Sequence, residues 1–330
     1  MKLAGENGVT RHFLLDIEMR LSPHTLTSYR YILTLLTETL ELVCKIIDLE
    51  QVTVIHLRQC VQFLLTHHIQ LEASRRPPAN GLTLSISTIR GHIQVWKVFF
   101  NWCYQEELIE KNPVVRLSAP KPDDRVLPAF TEEQIQKMFM SLDTSTEMGF
   151  RDYLILLLLL DTGIRLSEIT GLEVANVHDT YIKVMGKGRK EREVGIHPDV
   201  SKLLWKYIHK YRHPKDPDEK ILFLGIGKGA GVPLGQGGVK HLMDRLKKAT
   251  GIDHMRLSAH VFRHTFAKMY LKQGGDLFKL SRELGHSNVK TTQIYLKDFN
   301  SFDARKEHNS YSPINRFNLK KQLKNKKKQN

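Results

Sequence analysis

The sequence predicts a mainly α-helical protein of two domains that carries one small β-hairpin. Three observations lead there. Apolar residues recur at three- and four-residue spacing through most of the chain. Two β-branched and apolar segments, 181–185 and 192–196, flank a Gly186-Lys-Gly188 turn. A stretch with four prolines, residues 112–130, breaks the periodicity between them and everything before. With 330 residues and 41% apolar content, the chain is long enough to bury two cores.

Residues 1–111 read as a helical domain. Ser22 caps a helix with Pro23 at its first position, and Leu26, Tyr29, Ile32, Leu33 and Leu36 follow at helical spacing. A second helix is predicted over 54–69, with Ile55, Val61, Leu64 and Leu65 as its apolar face. Residues 74–83 form a loop by their Pro, Asn and Gly content. A long helix follows over 85–108, carrying Ile89, Ile93, Trp96, Phe99, Phe100 and Tyr104. Arg75, Arg76, Arg90 and Lys97 could face phosphates or could equally be solvated. Residues 112–130 are an extended linker. The second domain, 131–310, opens on a capping box, Thr131 to Gln134. A buried helix over 153–160 stops at Asp161-Thr-Gly163, the hairpin follows, and helices resume over 198–211, over 238–248 and from Ser258 onward. Residues 311–330 are a basic tail. The glycines of 225–231 lack the lysine and hydroxyl pattern of a nucleotide loop, so that segment reads as a surface loop.

The formal charge is +15, which points to a polyanionic partner. Residues 1–111 balance, with 11 basic and 11 acidic residues, so the whole excess lies beyond them. Six lysines fall in the last thirteen residues, and residues 112–317 still carry +9. Cys44, Cys60 and Cys103 have no metal-ligand spacing and read as reduced thiols. The longest apolar run, 154–160, is far too short for a membrane span, and no signal-type segment opens the chain. A cytoplasmic protein without membrane contact is expected.

The stretch from Ser258 to Tyr295 concentrates the chemistry. Phe262, Phe266 and Met269 share one helical face that should enter a core. His260, Arg263 and His264 share another. A guanidinium beside imidazoles suits a phosphodiester, because its fork of donors grips phosphate oxygens. Tyr295 offers a phenol that can attack phosphorus, provided that a cationic or proton-accepting neighbourhood activates it. His260 and His264 also have zinc-helix spacing. Arg263 between them and the missing glutamate base argue against that reading, and no metal or other cofactor is expected.

Four segments then line up in order: Thr162-Gly-Ile-Arg-Leu-Ser-Glu168, Gly186-Lys-Gly-Arg-Lys-Glu-Arg192, His260-Val-Phe-Arg-His264, and Leu284-Gly-His-Ser-Asn-Val-Lys-Thr-Thr-Gln-Ile-Tyr295. This series closely resembles the tyrosine recombinase (phage integrase) family. The resemblance covers about residues 131–295 and extends more loosely to the helical N-terminal domain, which is similar to the family's core-binding domain. It implies a site-specific recombinase that cuts and rejoins double-stranded DNA through a covalent 3′-phosphotyrosyl intermediate, for integration, transposition or resolution of a mobile element. In that reading Arg165 and Arg263 grip the scissile phosphate and Tyr295 attacks it. Lys187 protonates the leaving 5′ oxygen, His260 assists proton transfer at the nucleophile, and His286 hydrogen-bonds the phosphate. Arg189 and Lys190 sit on the same turn as Lys187 and are alternatives for its role. Glu168 and His264 support the site, and Arg189, Lys190 and Arg192 also serve as DNA contacts. The resemblance further implies a homo-oligomer on DNA, dimeric at each site and tetrameric in synapsis, with accessory DNA-bending proteins. Phe299, Phe302 and Phe317 would dock on a neighbouring subunit, and the lysine tail would touch DNA or, on the plainer reading, be a solvated end.

Two rival readings share part of the pattern. A type IB topoisomerase uses the same nucleophile and cationic clamp, but the compact N-terminal domain and the spacing from His286 to Tyr295 favour the recombinase. A non-catalytic DNA-binding protein of the same fold would have no need for the complete cationic set and Tyr295.

Overall fold

Helix α1 (Val9–Glu18) opens the chain and buries Val9, Phe13 and Ile17, one residue per turn on one face. Helix α2 (Pro23–Thr39) starts as the sequence predicts, with the Ser22 hydroxyl accepting from the Thr25 amide and Pro23 in the first turn. Helix α3 (Val54–Thr66) is shorter than expected; of its expected apolar face Leu64 is buried and Val61 and Leu65 pack against the core. Its buried residues are Leu57, Cys60 and Leu64, whereas Ile55 is 61% exposed. Helix α4 (Ile86–Gln105) buries Ile89, Ile93, Trp96, Phe99, Phe100 and Cys103, and leaves Tyr104 in solvent. These side chains form one core, to which Val114 and Leu117 also belong. Part of the expected linker is therefore packed rather than extended.

The structure is a computed structural model that describes residues 1–67, 83–121, 127–186 and 190–298. It divides into two compact units, Met1–Arg125 and Val126–Asn330. The predicted loop of 74–83, the hairpin tip and the basic tail lie wholly or mostly outside the described residues.

The second unit begins with helix α5 (Glu132–Met140), opened by a capping box in which Thr131 and Gln134 exchange hydrogen bonds. Helix α6 (Glu147–Thr162) is its centre. Leu154, Ile155, Leu156, Leu158 and Leu159 are all fully buried, so the helix is apolar nearly all round. It ends at Gly163, whose φ of 59° is the left-handed cap that glycine adopts without strain. A Cβ there would meet Phe266 at 2.4 Å, so packing demands glycine as well. Helix α7 (Leu166–Thr170) comes directly after it. Strands β1 (Tyr181–Met185) and β2 (Glu191–Gly195) pair antiparallel, from Tyr181 opposite Gly195 to Met185 opposite Glu191. Helices α8 (Pro198–Lys206) and α9 (Gln236–Thr250) come next. Helix α10 (Ala259–Lys272) lies along α6, then α11 (Leu277–Glu283) and the short α12 (Lys290–Gln293) close the unit. Most of these elements share one core. A smaller cluster of Ala267, Leu271, Leu280, Leu284 and Tyr295 sits under the last three helices. Among the described residues no helix is long and apolar enough to cross a membrane.

Candidate active site

Arg165 stands where α6 gives way to α7, and Glu168, one turn further along, sets its position. The Glu168 carboxylate accepts from the Arg165 amide at 2.8 Å and from its Nη1 at 2.8 Å. A short helix thus begins with its own glutamate folded back on the first residue. The Arg165 side chain remains 34% exposed. Arg263 is its opposite in burial, only 3% exposed within α10. Its Nη1 donates to the Gly163 carbonyl at 2.8 Å, and its Nη2 lies 2.6 Å from the Leu284 carbonyl and 2.9 Å from His286 Nε2. Burial, and then the charge of Arg165, lower its pKa to about 10, which leaves it protonated near neutrality.

The turn after α11 is where these cations meet. Three consecutive carbonyls, those of Glu283, Leu284 and Gly285, accept from Arg192, Arg263 and Arg165 respectively. Carbonyls at a helix C-terminus lack intrahelical partners and carry the negative end of the backbone dipole, so guanidiniums are well placed there. His286 is the next residue. Because a guanidinium only donates, His286 Nε2 must accept from Arg263, and a neutral ring then carries its proton on Nδ1. That proton is directed at Thr292 Oγ1, 2.8 Å away. Burial, with Arg263 and Arg165 next in effect, lowers the His286 pKa to about 4, in keeping with this neutral ring.

Tyr295 is 2% exposed, and its hydroxyl lies 3.0 Å from His264 Nδ1. His264 in turn packs edge-on against His260, with ring centroids 4.5 Å apart. Burial raises the phenol above its ordinary pKa, although Arg263 and Arg165 pull it down. Burial and neighbouring cationic groups lower His264 to about 4 and also lower His260. The nucleophile candidate is therefore a neutral phenol against a neutral imidazole. Arg165, Arg263 and His260 together line a groove of about 1010 Å³, which continues past Lys240 on α9 to Arg256. Tyr295 does not line it.

Of the residues singled out from the sequence, Arg165 is hydrogen-bonded to Glu168, Arg263 to His286 and His264 to Tyr295, while Arg165, Arg263 and His260 line one groove. His264, expected to support the site, is the direct partner of Tyr295, and His260 packs on the far side of the His264 ring. Lys187 and Arg189 lie outside the described residues, as do Arg75 and Arg76. Lys190 is exposed beside the turn. Arg192, expected as a DNA contact, is engaged within the protein: both Nη atoms bind Glu168, Nε binds the Glu283 carbonyl, and the side chain is 14% exposed. Arg90 donates to the Pro120 carbonyl, and Lys97 is half-buried. Thr292, the partner of His286 Nδ1, is not singled out by the sequence reading, although two threonines just before the tyrosine are a visible signal. No group of three or more histidine, cysteine or carboxylate side chains could hold a metal among the described residues.

Comparison with known proteins decides what this assembly is. Residues 128–301, more than half of the chain, match the model of the phage integrase family. The chain belongs to that family. It is a tyrosine site-specific recombinase. The tyrosine recombinase XerC of Bacillus pumilus is 34% identical over 239 residues, covering 70% of this chain and 76% of the relative. XerC of Staphylococcus haemolyticus is 30% identical over 285 residues, covering 86% and 89%. In fold the recombinase is similar to the Tn1549 transposon integrase solved in complex with transposon right end DNA, with a TM-score of 0.69, 20% identity and coverage of 92% and 98%. It is similar in fold also to a lambda integrase dimer bound to a COC′ core site, with a TM-score of 0.65, 17% identity and coverage of 86% and 95%.

Proposed function

We propose that this recombinase cleaves and rejoins double-stranded DNA at the groove of its second unit, with Tyr295 as nucleophile and Arg165 and Arg263 as the ligands of the scissile phosphate. The observation that carries this reading is the turn at 283–286, which gathers three arginines on successive carbonyls and presents His286 beside them. Phosphoryl transfer needs mainly positioning and charge stabilisation, and fixed cations supply both. In the forward step the Tyr295 oxygen bonds to phosphorus while the bond from phosphorus to the 5′ oxygen breaks. Once Tyr295 has left His264, its phenolic proton passes to His260, the imidazole that borders the groove. Lys187 returns a proton to the 5′ oxygen.

The resting geometry gives this mechanism an order. Tyr295 is buried and held by His264, so it must leave that partner before it can attack. A phosphate arriving between Arg165 and Arg263 would offset the cations that depress His260 and His286. Their pKa values would then rise, and His286 could donate from Nε2. Exchange of strands between two sites requires two cleaved duplexes, which supports a homo-oligomer with two subunits at each site and four in synapsis, assisted by DNA-bending proteins. Domains bounded at 1–111 and 131–310, joined through 112–130 and followed by the basic tail 311–330, and action in the cytoplasm belong to the same proposal.

The test uses a duplex selected from a random library by the purified protein, nicked near the cleavage point so that the covalent product is trapped. On a denaturing gel the wild type should yield a protein–DNA adduct, and Tyr295→Phe should bind the duplex but yield none. An adduct that survives Tyr295→Phe overturns the assignment.

A further inference from the structure

Assigning Arg165 and Arg263 to the phosphate leaves one arginine of the cluster without a task. Arg192 shares the inward face of β2 with the fully buried Val194, since alternate strand residues point the same way. Its Nη1 and Nη2 donate to the two oxygens of Glu168 at 2.7 and 2.9 Å, and its Nε donates to the Glu283 carbonyl at 3.0 Å. The backbone of Gly285, with a φ of 63°, passes so close that a Cβ there would stand 2.9 Å from three atoms of this guanidinium. One side chain therefore ties together the hairpin, the start of α7 and the turn that presents His286.

The charges give this contact a second consequence. The Glu168 side chain is 1% exposed and lies between Arg165 and Arg192. Burial alone would push its pKa up, but hydrogen bonds from Arg192 and Arg165 hold it at about 2, so it stays ionised. Two guanidiniums on one carboxylate leave the trio with a single net positive charge. Without Arg192, Glu168 would cancel Arg165 and draw it fully to itself.

We propose that Arg192 is a positioning residue for strand cleavage: sharing Glu168 with Arg165 and holding the Glu283 carbonyl, it keeps the Arg165 charge free for the phosphate and keeps the His286 turn in place. This rests on the reading of Arg165 and Tyr295 given above. A lysine could not replace it fully, because a single ammonium cannot span a carboxylate and a carbonyl as a fork does.

The experiment measures single-turnover adduct formation and DNA affinity on the trapped duplex, at several salt concentrations, for Arg192→Gln, Arg192→Lys, Glu168→Gln and the Arg192→Gln/Glu168→Gln double variant. Misplacement of a catalytic group by about 1 Å costs on the order of 100-fold, and a loss of that size is expected for Arg192→Gln. DNA affinity should change by less than about threefold, with an unaltered salt slope. The double variant should cleave faster than Arg192→Gln, because removing the carboxylate frees Arg165 again. Should Arg192→Gln not fold, Arg192→Lys is read instead, with a loss of about tenfold at unchanged affinity. Cleavage at the wild-type rate in these Arg192 variants, a double variant slower than Arg192→Gln, or a salt slope lower by about one would each overturn the proposal, the last by making Arg192 a phosphate contact. Tyr295→Phe in the same assay separates the two levels. An adduct there refutes the underlying mechanism, whereas its loss beside normal Arg192 variants refutes only the positioning role.

Discussion

His264→Phe isolates the contact that holds Tyr295, the proposed nucleophile, at rest. The substitution keeps a ring of similar size in a site that is 6% exposed, but removes the nitrogen that lies 3.0 Å from the Tyr295 hydroxyl. Tyr295 is 2% exposed, so its hydroxyl would be left buried without a partner. Such a group costs about 1–3 kcal/mol. Converted at about 1.4 kcal/mol per factor of ten, opening of the segment that carries Tyr295 becomes about 5- to 150-fold more frequent. Amide hydrogen exchange over residues 290–298 reads this directly, and should accelerate by that factor in His264→Phe while α6 and α9 stay protected. Adding Tyr295→Phe removes both polar groups together, so the double variant should regain most of the protection. A coupling of about 1 kcal/mol or more between the two positions is expected. If His264→Phe exchanges at the wild-type rate, the hydroxyl is not held by His264 and the order of events proposed above is wrong.

Three further outcomes rest on the same geometry. Gly163→Ala places a Cβ 2.4 Å from Phe266 at a φ of 59°, and should destabilise by about 2–5 kcal/mol from the left-handed strain and overpacking combined; thermal melting at the wild-type temperature would contradict this. Arg165→Ala should slow adduct formation by about 100- to 1000-fold with little change in melting, since the side chain is partly exposed. Arg263→Ala should lose both activity and stability, because it leaves the carbonyls of Gly163 and Leu284 without this partner; equal melting temperatures for the two variants would count against the buried role. Acid should weaken the fold in a defined window. His264 and His286 hold pKa values near 4, below the usual 6.5, so the unfolded chain binds protons that the folded one refuses and stability falls as pH drops from about 6.5 towards 4. Glu168, held at about 2, acts in the same direction only below about 4.5. Melting curves of His286→Gln across pH 7 to 4.5 should fall less steeply than those of the wild type.

Local rules recovered what local chemistry controls. Ser22-Pro23, the Thr131 capping box and the 181–196 hairpin needed only neighbouring residues, and the structure has each of them. Spacing along α10 placed Phe262 in the core and put Arg263 and His264 on a different side. Features that depend on tertiary contact were less legible. Ile55 and Tyr104 fit the helical periods of α3 and α4, yet face solvent, because a period of 3.6 leaves the edge of an apolar stripe ambiguous. Arg192 was readable in principle: it alternates with Val194 and Ile196, which marks it as inward-facing, and a buried arginine implies a carboxylate partner. Its basic neighbours at the hairpin tip masked that signal. That His264 rather than His260 would meet Tyr295 depends on how α12 returns to α10 across 31 residues, which spacing on one helix does not encode.

In the proposed mechanism, cations from separate motifs converge on one phosphorus that Tyr295 attacks. Mass spectrometry of the trapped adduct, after nuclease and protease digestion, tests it most directly. A residual nucleotide phosphate is expected on the peptide that contains Tyr295, and on no other. A modified serine, histidine or different tyrosine would contradict it.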